Sequence, residues 1–346
     1  MEKTMKAVVT YAPGDNRYED FPFPELEDGE VLLKVKACGI CAGDLKAFHG
    51  GIRVWGTSEA DRYMEPPCIP GHEFYGEVVD IKGEVPGIAI GDDVCAEQVV
   101  PCGHCHFCRT GKYWMCQRSA VFGFKKYANG GFAEYVKLPK TSLKHVLPKS
   151  FTKEQSVLVE PIACGMHALE QANIRHDDVV VIAGLGAIGT SMCNIANLKM
   201  PKLVIGLEVR EERARRAREY GADIVLNPVE CNVVEEIMKL TGGLGCDVYV
   251  EASGSPKSAA QGLNCLRNHG RYVQMGVLSD LVTADWNTIG DGKELTITVS
   301  CAANYLGYIR PEDYSYGNRE SAEKALKVFA DRLGISVKEL AIRIMD

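Results

Sequence analysis

The chain has 346 residues, enough for about two domains, and its 46% hydrophobic and 25% charged content is typical of a globular protein with a large core. A formal net charge of −7 with scattered basic residues argues against nucleic acid or an anionic membrane as the main partner. No apolar run is long enough to span a bilayer, and we expect no signal peptide at the N-terminus. Fourteen unevenly spaced cysteines favour a reduced, cytoplasmic protein with metal-binding thiolates over a disulfide framework.

The first part of the chain has the pattern of a β domain. Short half-buried strand patterns separated by glycine- and proline-containing turns occur at 6–10, 31–35, 76–80, 91–94 and 132–136. Residues 1 to about 150 are therefore predicted to form a small, mostly antiparallel, barrel-like domain.

Candidate ligands of a catalytic metal are spread along this part of the chain. His72 and Glu73 are adjacent, Cys41 lies upstream, and Glu160 lies downstream. A lone His-Glu pair is more often a solvated turn or part of a core. Thiolate, imidazole and carboxylate together are the ligand types of a catalytic zinc that keeps one position open.

A second metal site is predicted from four closely spaced cysteines. Two, two and seven residues separate them, and a hairpin-like lobe can wrap such a set around one zinc as a closed structural site. His104 and His106 lie in the same segment and are interpreted as exposed spacers. Unrelated buried thiols are the alternative, which this spacing disfavours. The four cysteines are Cys102, Cys105, Cys108 and Cys116.

Residues 152–199 carry the transition to a different fold. Thr152 and Gln155 fit a capping box, so a helix is predicted from about residue 153, and Pro161 is predicted to start a second helical segment. A continuous apolar strand at 179–183, a glycine loop and a helix to about Lys199 follow.

The glycine loop and the strand after it form a dinucleotide fingerprint. The strand at 203–207 ends at Glu208, 19 positions beyond the last glycine of the loop, where a carboxylate can bind the adenosine ribose. The loop brings the pyrophosphate to a helix N-terminus. Alternatively, Glu208 merely faces solvent, and Arg210 could admit a 2′-phosphate. The loop residues are Gly184, Gly186, Ala187, Ile188 and Gly189.

Further alternating elements extend this second domain. Helices are predicted at 210–219, 232–240 and 256–266, and strands at 224–226, 247–251 and 271–276. A last strand is expected from about Leu295, and two helix-like runs, 321–333 and from Ser336, close the chain.

Taken together, these motifs resemble the zinc-dependent medium-chain alcohol and polyol dehydrogenases over residues 5 to about 300. The Cys-His-Glu ligand set is similar to that of sorbitol and threonine dehydrogenases. The stretches 39–44, 54–56 and 123–124 look most like bacterial erythritol/threitol dehydrogenases, which is a weaker match. The resemblance implies an α/β protein. A GroES-like β-barrel catalytic domain would span 1–158, with a structural zinc lobe at about 100–117. A Rossmann domain with a doubly wound parallel sheet would span 159–298, and 299–346 would return to the first domain.

The resemblance also assigns roles to individual residues. Cys41 and His72 would bind the catalytic zinc, with Glu160 or Glu73 as the third ligand, and Asp44 would hold the far nitrogen of His72. The glycine loop, Glu208 and Arg213 would bind NAD. Two zinc ions per subunit, a small polyol or alcohol substrate in the cleft between the domains and a homotetramer or homodimer are implied as well.

Four positions depart from the family pattern. Gly43 and Lys46 replace the usual hydroxyl and histidine of a proton relay. The proton is expected to leave through water, a cofactor ribose hydroxyl, Lys46 or His49. The stretch 302–303 is Ala-Ala where sorbitol dehydrogenases have Arg-Tyr, which argues against sorbitol. Candidate pocket residues, equally readable as ordinary core aromatics, are Trp55, Phe124 and Tyr305.

The predicted function is NAD-dependent oxidation of a secondary hydroxyl of a small polyol. A threonine-type amino alcohol dehydrogenase would use the same ligands and is the main alternative. A zinc-free quinone reductase is disfavoured, because it should lack Cys41, the cysteine lobe and Glu160. A non-enzymatic, zinc-stabilised nucleotide-binding module is the remaining alternative.

Overall fold

The computed structural model describes residues 3–278 and 280–300. The chain divides into two compact units, which comprise described residues 3–160 and 161–300 respectively. The predictions for Tyr305, for residues 302–303 and for the two C-terminal helix-like runs lie outside the described residues, as does nearly all of the predicted segment 299–346.

The first unit is built from antiparallel strands. Strands β1 and β2 form a hairpin, β6 and β7 form a second pair, and the other five form a sheet in the order β8-β3-β4-β5-β9. The strands are β1 (Thr4–Ala12), β2 (Asp15–Pro22), β3 (Glu30–Gly39), β4 (Glu73–Lys82), β5 (Asp93–Ala96), β6 (Val99–Val100), β7 (Ala120–Val121), β8 (Tyr135–Leu138) and β9 (Lys144–Val146).

The alternating apolar residues of these strands form the core of the first unit. Val31 and Leu33 on β3 and Val78 on β4 are fully buried on one face of the sheet. Phe74 and Phe122 pack edge to face with ring centroids 5.2 Å apart, a favoured aromatic geometry. The predicted antiparallel β domain is therefore observed, and its core supports the residues that follow β3 and precede β4.

Four short helices complete the first unit: α1 (Ala42–Phe48), α2 (Ile52–Trp55), α3 (His106–Arg109) and α4 (Lys153–Val157). The predicted capping box is confirmed, because Thr152 Oγ1 accepts the Gln155 N–H while Gln155 Oε1 accepts the Thr152 N–H. Helix α5 (Val159–Ala172) begins two residues before Pro161, so the predicted start of this helix at Pro161 was two residues too late. Proline is tolerated there because the N–H groups of the first turn have no partner within the helix.

The second unit is a six-stranded parallel sheet in the order β12-β11-β10-β13-β14-β15. This is the doubly wound arrangement, with its switch point between β10 and β13. The strands are β10 (Val179–Ala183), β11 (Leu203–Leu207), β12 (Ile224–Leu226), β13 (Cys246–Glu251), β14 (Leu266–Gln274) and β15 (Thr296–Val299).

Helices connect these strands, as the sequence predicts. They are α6 (Ala187–Ala196), α7 (Glu211–Glu219), α8 (Val233–Leu240) and α9 (Pro256–Cys265). Strand β14 begins at Leu266, earlier than predicted, because Leu266 already pairs with Cys246 before the register shifts to Arg271. No helix in the described part of the chain is long and apolar enough to cross a membrane.

Candidate active site

Three candidate metal ligands meet where β3 ends and β4 begins. Cys41 is the N-cap residue of α1, His72 precedes β4, and Glu73 is the first residue of β4. The last residue of β3, Gly39, pairs with Glu73 across the sheet, and this register carries the carboxylate towards the residues after β3. One ligand atom from each of Cys41, His72 and Glu73 lies within 4.8 Å of the other two.

Asp44 supports this cluster from α1. Its Oδ2 accepts the Cys41 N–H at 2.9 Å, which caps the helix and fixes the backbone of the thiol residue. Its Oδ1 lies 3.7 Å from His72 Nδ1, longer than a hydrogen bond. Nδ1 is buried and has no hydrogen-bond partner. Asp44 therefore lies beside the imidazole as expected, but the hydrogen bond that its side chain accepts comes from the backbone of Cys41.

Burial favours the uncharged forms of the three candidate ligands. It raises the pKa of the Cys41 thiol to about 12 and that of the Glu73 carboxyl to about 7. Burial also lowers the pKa of His72, against the opposing effect of the Asp44 charge. A bound divalent cation would supply the positive charge that stabilises a thiolate and a carboxylate here.

Glu160, the fourth candidate, lies outside the cluster that the other three form. It is 3% exposed at the start of α5, and its Oε1 accepts a hydrogen bond from Gln98 Nε2 at 2.5 Å. Its charge is among those that raise the pKa of Cys41, after burial and Glu73, so it lies near the site. Within the described residues, however, it does not belong to the cluster of ligand atoms.

The chemistry and spacing of the cluster fit a catalytic zinc. Ligands about 2.0–2.3 Å from a tetrahedral ion lie about 3.3–3.8 Å from one another, and the three observed atoms lie within 4.8 Å. A small adjustment would bring them to one ion. Thiolate, neutral imidazole and carboxylate would occupy three positions and leave the fourth for an exchangeable ligand.

The four cysteines of the predicted lobe are also brought together. Cys105 Sγ lies 3.5 Å from Cys108 Sγ and 3.8 Å from Cys116 Sγ, and the Sγ atoms of Cys102 and Cys108 are 3.9 Å apart. A disulfide requires about 2.05 Å, whereas four sulfurs about 2.3 Å from one tetrahedral ion lie about 3.8 Å apart. The set therefore fits a closed four-thiolate zinc. His104 and His106 are exposed, as spacers would be.

The second unit presents the fingerprint loop at the carboxyl end of β10. Gly184 has φ of +92°, and a Cβ there would lie 2.6 Å from Ser253 Cα. A Cβ on Gly189 would collide with the Gly184 carbonyl oxygen, so the close turn depends on both glycines. Gly186 is the N-cap residue of α6, and Ala187 and Ile188 begin that helix, the position that favours a phosphate.

Glu208 joins this loop to the end of β11 and is 7% exposed. Its Oε2 accepts the Leu185 N–H at 3.0 Å, and its Oε1 accepts the N–H groups of Val209 and Arg210 at 2.9 and 3.0 Å. The Arg213 guanidinium lies 4.0 Å from Oε2. The carboxylate therefore does not simply face solvent, and Oε2 keeps the capacity to accept another hydrogen bond.

Two further polar residues at the sites were not predicted. Glu251 is fully buried at the carboxyl end of β13, where it accepts the Ser253 N–H at 2.9 Å and a hydrogen bond from Gln274 Nε2 at 2.9 Å. A carboxylate that ends an apolar strand is a signal that could have identified it. No sequence pattern marks Gln98, which donates a hydrogen bond to Glu160, because only the fold brings these two residues together.

The two candidate pocket aromatics within the described residues, Phe124 and Trp55, lie in different surroundings. Phe124 is buried, with its ring centroid 5.9 Å from that of His72, whereas Trp55 Nε1 donates to the Ala47 carbonyl at 2.6 Å. Lys46 and His49, the candidate proton acceptors, are exposed at the last turn and C-cap of α1. Phe124 is thus beside the cluster, while Trp55 packs against α1.

Both halves of the chain match models of known protein families. Residues 27–150 match the alcohol dehydrogenase GroES-like domain, and residues 184–319 match the zinc-binding dehydrogenase domain. An erythritol/L-threitol dehydrogenase of Mycolicibacterium smegmatis is 42% identical over 85% of this chain and 82% of its own length. An L-threonine 3-dehydrogenase of Pyrococcus horikoshii is 36% identical, over 86% and 83% respectively.

Solved structures have the same fold. A zinc-binding dehydrogenase from Sinorhizobium meliloti, bound to NADP, has a TM-score of 0.80 with 28% identity, covering 94% of this chain and 89% of that one. The 2R,3R-butanediol dehydrogenase of Bacillus subtilis has a TM-score of 0.75 with 29% identity, covering 95% and 90%. The chain belongs to the zinc-dependent medium-chain alcohol and polyol dehydrogenases. The predicted family and fold class are confirmed, and the protein is an oxidoreductase.

Proposed function

We propose that the protein oxidises a secondary hydroxyl of a small polyol of the erythritol or threitol type to a ketose and reduces NAD. The observation that carries this proposal is the clustering of the half-buried Cys41 and Glu73 with the buried His72, a set whose ligand chemistry suits an open catalytic zinc. The 42% identity to an erythritol/L-threitol dehydrogenase supports the substrate class.

The residues of the site would divide the work of this reaction. Cys41, His72 and a carboxylate hold the metal, which when bound polarises the substrate hydroxyl and lowers its pKa. Asp44 fixes the backbone of Cys41 and lies beside His72, so it keeps two ligands in place. Bound NAD would supply the acceptor for the hydride that the carbinol carbon loses, and the hydroxyl proton would leave to solvent. Glu208 and the glycine loop orient the cofactor.

The substrate's hydroxyl proton needs another acceptor, because Gly43 has no side-chain hydroxyl to take it. We propose that the proton leaves through water, a cofactor ribose hydroxyl, Lys46 or His49. Both side chains are exposed at the C-terminal end of α1, the helix that Cys41 caps, which suits a group that exchanges protons with solvent. The pH–rate profiles of Lys46→Ala and His49→Ala test them, and unchanged profiles in both variants would exclude both side chains.

We further propose two zinc ions per subunit with separate roles. The sulfur separations of 3.5–3.9 Å in the cysteine lobe support a closed site with no position for substrate. Elemental analysis of the purified protein should give about two zinc ions per chain.

We also propose a cytoplasmic homotetramer or homodimer. Every cysteine in the described part of the chain is a free thiol, as expected in a reducing compartment. Sedimentation velocity of the metal-loaded protein tests the assembly, and a monomer at micromolar concentration would contradict it.

An amino alcohol such as threonine is the second candidate substrate. The 36% identity to an L-threonine 3-dehydrogenase favours it, and the same metal ligands would serve. The test is a steady-state screen of NAD reduction over erythritol, threitol, glycerol, hexitols and threonine. We expect the highest kcat/KM with erythritol or threitol, and little activity in Cys41→Ser. A higher value with threonine would favour the alternative, whereas no reduction with any hydroxyl compound would refute the proposed reaction.

A further inference from the structure

Glu251 ends β13, directly across the switch point of the second sheet from the glycine loop. Strands β10 and β13 are parallel neighbours, and Ala183 and Glu251 form the last pair of their register. A Cβ on Gly184 would lie 2.6 Å from Ser253 Cα, so the loop after β13 packs directly against the glycine loop. In doubly wound sheets a dinucleotide binds across this crevice, with one mononucleotide half on each side. Glu251 therefore lies at the cofactor crevice, on the side of β10 opposite Glu208.

All the acceptor sites of the Glu251 carboxylate are occupied. Its Oε1 accepts the Ser253 N–H at 2.9 Å and the hydroxyl of the same residue. Its Oε2 accepts the Gly254 N–H at 3.2 Å and a hydrogen bond from Gln274 Nε2 at 2.9 Å. A carboxylate has about four acceptor sites, and this one is fully buried. Glu251 therefore acts through the loops that it holds and not by direct contact with substrate or cofactor.

Gln274 extends this network to the loop after β14. Its Nε2 donates to the Gly276 carbonyl at 2.7 Å as well as to Glu251, and its Oε1 accepts the Tyr272 hydroxyl at 2.9 Å, which fixes the orientation of the amide. The backbone carbonyl of Glu251 accepts the Gly276 N–H at 2.7 Å. A Cβ on Gly276 would lie 2.5 Å from the backbone nitrogen of Gly254, so the two loops are in contact. One buried carboxylate thus fixes the loops that follow two adjacent strands.

We propose that Glu251 is a positioning residue that shapes the half of the crevice that receives the nicotinamide of NAD. Glu208, on the other side of β10, lies where the adenosine ribose binds. The loops after β13 and β14 lie on the side that remains for the second mononucleotide. This inference deepens the proposed function and rests on it, because it concerns the NAD site of the same reaction.

Asp247 offers a matched control near the amino end of the same strand. Its Oδ2 accepts the Val179 N–H at 2.8 Å and its Oδ1 accepts a hydrogen bond from Arg267 Nε at 2.5 Å, so it also joins β13 to neighbouring segments. Asp247→Asn and Glu251→Gln therefore each remove one charge from a carboxylate that ties β13 to its surroundings. Only Glu251 lies at the crevice, because ligands of such sheets bind outside the carboxyl ends of the strands.

The experiment measures cofactor binding by calorimetry in the full-length, metal-loaded protein, without turnover. NADH probes both halves of the crevice, and AMP probes the adenosine half alone. We expect Glu251→Gln to weaken NADH binding about tenfold or more, because its NH2 group would face N–H donors that the carboxylate accepts. The AMP affinity of this variant, and both affinities of Asp247→Asn, should stay within about twofold of the wild-type values.

Gln274→Leu gives a second arm that does not depend on the folding of Glu251→Gln. It removes the side-chain link between the two loops, while the carboxylate keeps its hydrogen bonds to Ser253 and Gly254. It should also weaken NADH binding and spare AMP binding. Combined with Glu251→Gln, it should weaken NADH binding less than the sum of the two single effects, because both residues belong to one network.

Equal weakening of NADH and AMP binding in Glu251→Gln would overturn the inference, because it would show a general effect on the sheet. Wild-type affinities in Glu251→Gln, or the same selective loss in Asp247→Asn, would overturn it as well. If Glu251→Gln does not fold, Gln274→Leu decides, and wild-type affinities there would overturn it. If the wild-type protein reduces NAD with a polyol while Glu251→Gln matches its control, only the inference fails. If the wild-type protein binds neither NADH nor AMP, the proposed function fails with it.

Discussion

Replacing Glu208 by glutamine should weaken a strong preference for NAD over NADP. The carboxylate accepts three backbone N–H groups, from Leu185, Val209 and Arg210, at 2.9–3.0 Å. These bonds fix it between the glycine loop and the end of β11, where Oε2 can accept a ribose hydroxyl. Glutamine has nearly the same shape but no charge, and its NH2 group replaces one of the two accepting oxygens, so the variant removes the charge together with at least one of these backbone hydrogen bonds.

The magnitude follows from two contributions. Hydrogen bonds to a charged group contribute about 1.5–3 kcal/mol, and NADP would lose such a bond to the 2′-hydroxyl. A phosphate at about 4 Å from the carboxylate, at an effective dielectric near 20, would cost on the order of 4 kcal/mol per charge pair before screening. We expect kcat/KM to favour NAD by at least about a hundredfold, or about 2.7 kcal/mol. Glu208→Gln should reduce this ratio about tenfold or more.

The assay is the ratio of kcat/KM for NAD and NADP in wild type, Glu208→Gln and Arg213→Ala. The Arg213 guanidinium is half exposed and 4.0 Å from Glu208, so their attraction is weak and a phosphate could compete for it. Arg213→Ala should therefore raise the preference for NAD. A wild-type ratio near one, or an unchanged ratio in Glu208→Gln, would refute the reasoning. Equal melting temperatures are the control for folding.

The remaining predictions concern the metal sites. Cys105→Ser should lower the melting temperature markedly because structural zinc binding contributes folding free energy, whereas Cys41→Ser should keep the fold and lose activity; calorimetry showing equal losses would contradict this division. Gly43→Ser should fold and bind zinc normally, since its Cβ meets neighbours at 3.6 and 3.8 Å, and a loss of zinc in elemental analysis would count against it. Asp44→Ala should weaken catalytic metal binding about 10–100-fold through His72 and Cys41, measured by chelator competition, and wild-type affinity would show that its support is dispensable.

Local patterns explain why much of the fold could be predicted. Strands β10 and β11 were predicted at their observed bounds, because fully buried parallel strands are continuous apolar runs between turn signals. The helix at 153 was predicted from its capping box alone. The clustering of Cys102, Cys105, Cys108 and Cys116 also follows from spacing, since the chain between them is too short to separate them widely.

The relations between distant residues could not be predicted in the same way. The register of β3 against β4 brings Glu73 to Cys41, and the hydrogen bond between Gln98 and Glu160 joins residues 62 positions apart. Strand β14 begins early because Leu266 pairs with a neighbouring strand, a tertiary effect that overrides the local pattern.

The charge of each ligand set gives a physical reason for the separate roles proposed for the two zinc sites. Four thiolates around one divalent ion leave a net charge of about −2, so that ion attracts a further oxygen ligand weakly and suits a structural role. One thiolate from Cys41, the neutral imidazole of His72 and one carboxylate leave about zero, and the ion keeps its ability to polarise a hydroxyl. A second carboxylate would make this site negative and weaken that ability.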